Sequence, residues 1–426
     1  MLDMANIPSS GKPPKIRPPE NDFQIYLTAI VGGIAVATLG SDMQVIGYSV
    51  AAIGGVTTLF ELRRLLNPYR ALFENAGIKV GEQVPRFVKK RKTNYGYCIT
   101  FSLPYGLSSE DFEKKKLAIE QYLNKRVEIS YSNYRVFVKV FERNLNKSPK
   151  YEYQDSTKIL EIPIGISYSG VVKIDLQDIV HLLIGGETGS GKSTLLRSII
   201  TTLILKDNVT LHLIDLKNGA EFNVFRKCKQ VKTFSRNIEA AEYVLYDLTE
   251  EVERRYDLFY KNDVVDIKEY NKLKGVKKLN YQVIVIDEFA DLQDEKGSIS
   301  SIERLTQKAR AAGIHCILAT QRPDSKILNG RIKSNIPGTI GLKTINELNS
   351  RIIINQNGLE NLRGQGHGLY RHSDLIEFQS YYISIDEARG FIKKYYIDKN
   401  PSKKAIEEPK NIGVVDNLSM IKGLMR

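Results

Sequence analysis

Residues Gly185 to Thr194 read GGETGSGKST, between the apolar run IVHLLI (Ile179 to Ile184) and the stretch STLLRSIITTLIL. No other segment restricts the fold as much. G-x-x-x-x-G-K-S between a strand and a helix is the spacing of a phosphate-binding loop. Gly186, Gly189 and Gly191 permit a tight turn that points backbone N–H groups at phosphate oxygens. Glu187, Thr188 and Ser190 complete that turn. Lys192 supplies a point charge for β- and γ-phosphates, and the Ser193 hydroxyl can take a place on Mg²⁺. Thr194 is expected just behind that shell.

A second half-site lies in YQVIVIDEFADL. Val283 to Ile286 read as a buried strand, with Asp287 and Glu288 at its carboxyl end, where open α/β sheets place their chemistry. Asp287 suits Mg²⁺, and Glu288 suits the role of general base toward water. Together they argue for hydrolysis, not mere nucleotide binding. Ile314 to Ala319 form a third apolar strand, ending in Thr320 and Gln321. The Gln321 amide could hydrogen-bond the water or the γ-phosphate. Val209 to Asp215 (VTLHLID) form another strand, whose terminal acid has no role from sequence alone. Strands alternating with helices predict an α/β fold with a doubly wound, mostly parallel sheet over 155–395. No dinucleotide fingerprint is present.

The chain has 426 residues, 42% of them hydrophobic and 26% charged, as in a folded protein of more than one domain. Its net charge of +13 favours a polyanionic partner, nucleic acid or an anionic membrane surface. Cys98, Cys228 and Cys316 are too scattered for a disulfide framework or a zinc site. Residues 1–20 read as a flexible tail. Phe23 to Gly40 and Met43 to Phe60 carry no charge, and each is about 18 residues long, near the lower limit for a membrane span. A two-span hairpin is therefore expected over 21–62 in the cell membrane. Lys12, Lys15 and Arg17 before it, and Arg63, Arg64 and Arg70 after it, place both termini and the α/β domain in the cytoplasm. Residues 67–150 read as a small basic α+β accessory domain. NYGYCITFSLP is its first strand, Ser108 or Ser109 caps a helix through EDFEKKKLAIEQYL, and RVEISYS and NYRVFVKVFER form a hairpin around Ser132 and Asn133.

From about Ile162 to Tyr382 the chain resembles the motor domain of the FtsK/SpoIIIE DNA translocases, within the FtsK–HerA group. The stretches that carry the likeness are IPIGISYSGVVKIDL, HLLIGGETGSGKS, EVERRYDLF, VIVIDEFADL, QKARAAGIHCILATQRP and GRIKSNIP with NSRIII. The resemblance implies a RecA-like P-loop NTPase that hydrolyses ATP and threads double-stranded DNA, independent of sequence, through a homo-hexameric ring. Arg310 matches the position that reaches the neighbouring subunit's γ-phosphate. Arg322 and Arg351 match further family arginines. Arg331 and Lys333 fall near a pore-facing loop and would contact DNA phosphates. IDLKNGAEF and Glu347 depart from the usual family pattern. The polar 396–426 tail is too short for a DNA-reading winged-helix domain. A short membrane hairpin, a small adaptor and a bare motor resemble the coupling proteins of conjugative elements, whose partners are a relaxase and channel proteins. The alternatives are a chromosome or plasmid partition translocase and an FtsK-like protein-secretion ATPase.

Overall fold

The computed structural model describes residues 67–323 and 330–397. The hairpin expected over 21–62 lies outside them, as do the N-terminal tail and the chain beyond 397. Among the described residues, no helix is long and apolar enough to cross a membrane. The chain divides into two units, one up to Asn144 and one from Leu145 onward.

The first unit contains α1 (Arg70–Ala76), β1 (Arg86–Thr93), β2 (Gly96–Ser102), α2 (Ser109–Lys114), α3 (Lys116–Leu123), β3 (Arg126–Ser132) and β4 (Arg135–Phe141). The strands form one antiparallel sheet in the order β1-β2-β4-β3. Val136, Val138 and Val140 alternate into a core with Ile99, Phe101, Phe73 and Phe112. The β3–β4 hairpin turns at Asn133 and Tyr134, both with positive φ (50° and 59°), one residue later than expected. The single helix expected over 110–123 is two, broken at Lys115, where ψ opens to 12°. Strand β1 (RFVKKRKT) was hidden by its charges. As an edge strand it need bury only Phe87, which packs on Tyr69 and Phe101, and edge lysines discourage pairing with another chain.

In the second unit the order is β5 (Glu161–Ser167), β6 (Gly170–Asp175), α4 (Leu176–Ile179), β7 (Leu182–Gly185), α5 (Lys192–Ile204), β8 (Val209–Ile214), β9 (Val231–Ser235), α6 (Ile238–Lys261) and α7 (Ile267–Tyr270). Then follow β10 (Tyr281–Ile286), α8 (Lys296–Ala312), β11 (Ile314–Thr320), α9 (Gly330–Ser334), β12 (Gly338–Leu342), α10 (Glu347–Ile354), β13 (His367–Arg371), β14 (Leu375–Ser380) and α11 (Ile385–Ile392). All ten strands join one sheet, β6-β5-β14-β13-β12-β7-β11-β10-β8-β9. The run from β12 to β9 is parallel, and β13, β14, β5 and β6 extend it as an antiparallel arm. The strands alternate their side chains between two cores, as a sheet covered on both faces requires. Leu182, Ile184, Leu213, Val283 and Val285 join α5 and α11 on one side. Leu183, Ile284, Ile286, Cys316 and Leu318 join α6 and α8 on the other. Strand β7 begins at Leu182, later than expected, because Val180 takes φ 56° and breaks the extended run.

A polar seam crosses this apolar interior. The Thr233 hydroxyl donates to His212 Nδ1 and His212 Nε2 donates to Gln282 Oε1, each at 2.9 Å. Gln282 donates in turn to Glu251 (3.2 Å), which also receives Arg255 Nε at 2.7 Å. Burial works against the Glu251 carboxylate, but hydrogen bonds from Arg254 and Arg255 hold it below the usual carboxylate range. Arg255, 2% exposed, also donates to the carbonyls of Ala312 (2.7 Å) and Asn280 (3.0 Å). It thus ties α6 to the end of α8 and the start of β10. Arg255→Ala should cost about 2–4 kcal/mol in urea unfolding, because it leaves two carbonyls without their donor, while Arg254 and Gln282 still hold the Glu251 carboxylate. A loss below about 1 kcal/mol would contradict this role.

Candidate active site

Three adjacent parallel strands end at one edge of the sheet: β7 at Gly185, β11 at Thr320 and β10 at Ile286. Strand spacing sets the phosphate loop and Asp287 roughly 10 Å apart, with Thr320 between them. Lys192, the first residue of α5, spans that gap. Its ammonium donates to Asp287 Oδ1 at 2.7 Å and to the Asp287 carbonyl at 2.5 Å. Both side chains are only 2% exposed.

Glu288 is held beside this pair. Its Oε1 accepts from the Thr320 hydroxyl (2.7 Å) and the Gln321 N–H (3.0 Å), and its Oε2 lies 3.4 Å from the Lys217 ammonium. Two segments, the end of β11 and the loop after β8, thus fix the carboxylate, and a general base needs such fixing. The Gln321 side chain turns the other way and accepts from the Thr188 hydroxyl at 2.8 Å, linking β11 to the phosphate loop.

Asp215 now has a structural role. Fully buried, it accepts backbone N–H bonds from Lys217 (3.2 Å), Glu221 (2.9 Å) and Phe222 (3.0 Å). This folds the loop after β8 and brings Lys217 to Glu288. Its only local trace in the sequence is a strand-end acid followed two residues later by a cation, whose partner Glu288 lies 71 residues on. Asp291, in the turn after Glu288, is a third carboxyl at this edge, and burial and the Glu288 charge push it up.

The loop itself is built for anions. Gly189 and Gly191 have φ of 78° and 103°, and Gly191 caps α5, whose first-turn amides have no intrahelical acceptor. The Ser190 hydroxyl is buried without a partner. A side chain at Gly191 would meet the Gly366 nitrogen at 2.3 Å. That neighbour belongs to a wall that sequence reasoning missed. Gly364, Gln365 and Gly366 all have positive φ (84°, 54° and 86°). Gly366 N–H donates to the Ser190 carbonyl at 2.6 Å. A cleft of about 640 Å³ lies between the loop and this wall, lined by Thr188, Lys192, Ser193, Thr194, Gln321 and, opposite, Gly366 and Tyr382. The cradle of amides, the buried lysine and the unpartnered hydroxyl fit a nucleoside triphosphate. Ser193 and Asp287 are the oxygen donors suited to Mg²⁺.

Other expected residues lie elsewhere. Arg310 is exposed near the end of α8, at the start of β11. The seven residues of β11 separate it from the cleft by about 20 Å, so one chain's own site does not include it. Arg322 is exposed beyond β11. Arg351 binds Asn357 (2.6 Å) and Glu347 (3.3 Å), the departure residue, on the surface of α10. Arg331 is 79% exposed, 3.9 Å from Glu303. Lys333 donates to the Ile352 carbonyl and to Asn355 Oδ1 (2.5 Å) at the end of α10. Burial, with the nearby Arg371 charge, lowers its pKa. Cys98, Cys228 and Cys316 are all free.

Residues 143–325 match the FtsK/SpoIIIE family. The chain is 36% identical over 301 residues to the DNA translocase FtsK of Leptospira interrogans, covering 65% of this chain and 30% of that protein. It is 35% identical over 284 residues to the DNA translocase FtsK of Staphylococcus aureus, covering 62% and 36%. The chain therefore spans about a third of the length of these relatives. Among solved structures, the pCW3 conjugation coupling protein TcpA, in a monomer form with ATPγS, matches at 26% identity and a TM-score of 0.55. That match covers 76% of this chain and 98% of TcpA. EssC from Geobacillus thermodenitrificans (ATPases 2 and 3) matches at 17% identity and a TM-score of 0.54, covering 59% and 52%, which is a likeness of fold alone.

Proposed function

The chain carries an FtsK/SpoIIIE-family domain, and from that premise we propose that it hydrolyses ATP to move DNA, as the membrane-anchored coupling protein of a conjugative element. The observation that carries the hydrolytic half is the clamp on Glu288, set by Thr320, Gln321 and Lys217 beside the Lys192–Asp287 pair. The N–H groups of Gly186, Glu187 and Ser190 donate to backbone carbonyls, so those of Thr188, Gly189 and Gly191 to Thr194 cradle the phosphates, and Lys192 holds the β- and γ-phosphates. Ser193 and Asp287 would hold Mg²⁺, which neutralises charge on the phosphate oxygens. Glu288 takes a proton from the attacking water, and ADP leaves as the γ-phosphorus–oxygen bond breaks. Gln321, linked to Thr188, relays the state of the γ-phosphate to the strand edge.

The DNA half rests on the FtsK relatives and on the +13 net charge. Arg331 and Lys333 contact the phosphates of double-stranded DNA. Lys333 must first leave the α10 carbonyl, so Arg331 carries more of this contact. Arg310, distant from its own cleft, reaches the neighbour's nucleotide across a homo-hexamer ring. The coverage of nearly all of TcpA supports the conjugative reading, with a relaxase and channel proteins as partners. The 21–62 hairpin supplies the anchor.

ATP turnover of the full-length protein in detergent should rise several-fold with duplex DNA, and raising salt should weaken the rise. Stimulation by single strands alone would replace duplex by strand delivery. Turnover indifferent to both would overturn DNA translocation in favour of protein secretion.

A further inference from the structure

We infer that the ring of Tyr382 is the platform on which the nucleotide's base stacks; this rests on the reading of the cleft as an ATP site. The cleft continues past the phosphate loop to Ser148, Gly366 and the segment Ser380 to Tyr382. Its volume of about 640 Å³ lies within the range of sites for whole drug-sized ligands. Two aromatic rings stand at this far end. Tyr381 is 3% exposed and engaged edge-to-face with Tyr151 at 6.1 Å. Tyr382 is 50% exposed and lines the open cleft.

The backbone of Tyr382 is held while its ring is left open. Its N–H donates to the Pro149 carbonyl at 2.8 Å, and its carbonyl accepts from the Tyr151 N–H at 3.0 Å. Two residues earlier, Ser380 N–H donates to the Gly366 carbonyl at 2.7 Å, and Gly366 in turn binds Ser190. The segment that carries Tyr382 is therefore registered to the phosphate loop through two short hydrogen bonds. The acid on this wall, Glu221, is engaged with Arg197 at 3.6 Å. The Tyr382 ring on this wall offers the base a flat π-surface, and stacking on such a surface tolerates any base.

The test measures binding of MgATP, MgGTP and inorganic tripolyphosphate to the full-length protein by calorimetry. Tyr382→Ala should weaken ATP and GTP alike, by about tenfold or more, and leave tripolyphosphate unchanged, since it has no base. Tyr382→Phe should restore the affinity to within about twofold. Unchanged ATP affinity in the alanine variant would overturn the platform. So would equal losses of ATP and tripolyphosphate, or a phenylalanine variant as weak as alanine. The phosphate reading fails separately: Lys192→Ala would then leave tripolyphosphate affinity intact.

Discussion

Glu288→Gln should bind MgATP as tightly as the parent chain and turn it over at least about a hundredfold more slowly. General bases contribute about 10²–10⁴ in rate, and the amide cannot take the proton. The geometry explains why the fold should survive. The glutamine Oε1 can still accept from the Thr320 hydroxyl and the Gln321 N–H. The contacts at Oε2 become unfavourable, but the Gln321 N–H reaches it only at 3.2 Å and keeps Oε1, and Lys217 is 43% exposed and free to swing outward. Equilibrium binding together with single-turnover hydrolysis separates the two effects. Parental turnover would remove Glu288 from the chemistry, and loss of binding would assign it to the nucleotide's ground state.

Acid should unfold the second unit well above the carboxylate range. Burial pushes His181 down to about 3, with His315 adding to the fall, and pushes His212 and His315 down to about 4. Each ring is neutral in the folded chain. The Cys316 N–H donates to His181 Nδ1 at 3.0 Å, and His315 Nδ1 donates to the Val180 carbonyl at 2.8 Å. In the unfolded chain an imidazole titrates near 6.5. Their contribution is thus complete above about pH 6.5 and drains away as pH falls toward the folded values. Each ring loses about 1.4 kcal/mol per pH unit in that window, so three lose about 4 kcal/mol per unit. Urea midpoints at pH 7.5 and pH 5 should differ by most of the unit's stability. His212→Gln, which keeps a donor and an acceptor for Gln282 and Thr233, should flatten the dependence by about a third. Equal midpoints at the two pH values would contradict the neutral rings.

What could be read from the sequence follows from how locally each feature is specified. The phosphate loop and the Asp287–Glu288 pair are contiguous, and their chemistry demands fixed spacing, so both stood out. Buried parallel strands such as VIVI and IHCILA announce themselves as unbroken apolar runs. Lys217 and the Gly364–Gly366 wall did not, because each serves a partner far away in the chain. The meaning of Gly366 depends on Ser190 and Ser380, not on its neighbours. Strand β12, GTIGL, is short and glycine-bearing, with little to mark it as a sheet element. Lys333 looked like a surface cation for DNA because nothing local reveals that the α10 carbonyls lie within its reach.

The antiparallel arm joins the beginning of the second unit to its end. Strand β5 pairs with β6 on one side and with β14 on the other, and Tyr168 meets Glu377 across 209 residues. On the ribosome, β5 and β6 emerge early, and one edge of β5 stays without its partner until β14 follows. At about 5–20 residues per second this wait lasts roughly ten to forty seconds. The nucleotide cleft draws on the same late segment through Gly366, Ser380 and Tyr382. A nascent chain can therefore display a complete phosphate-loop motif without a complete site, and ATP captured during synthesis would report that the arm has closed.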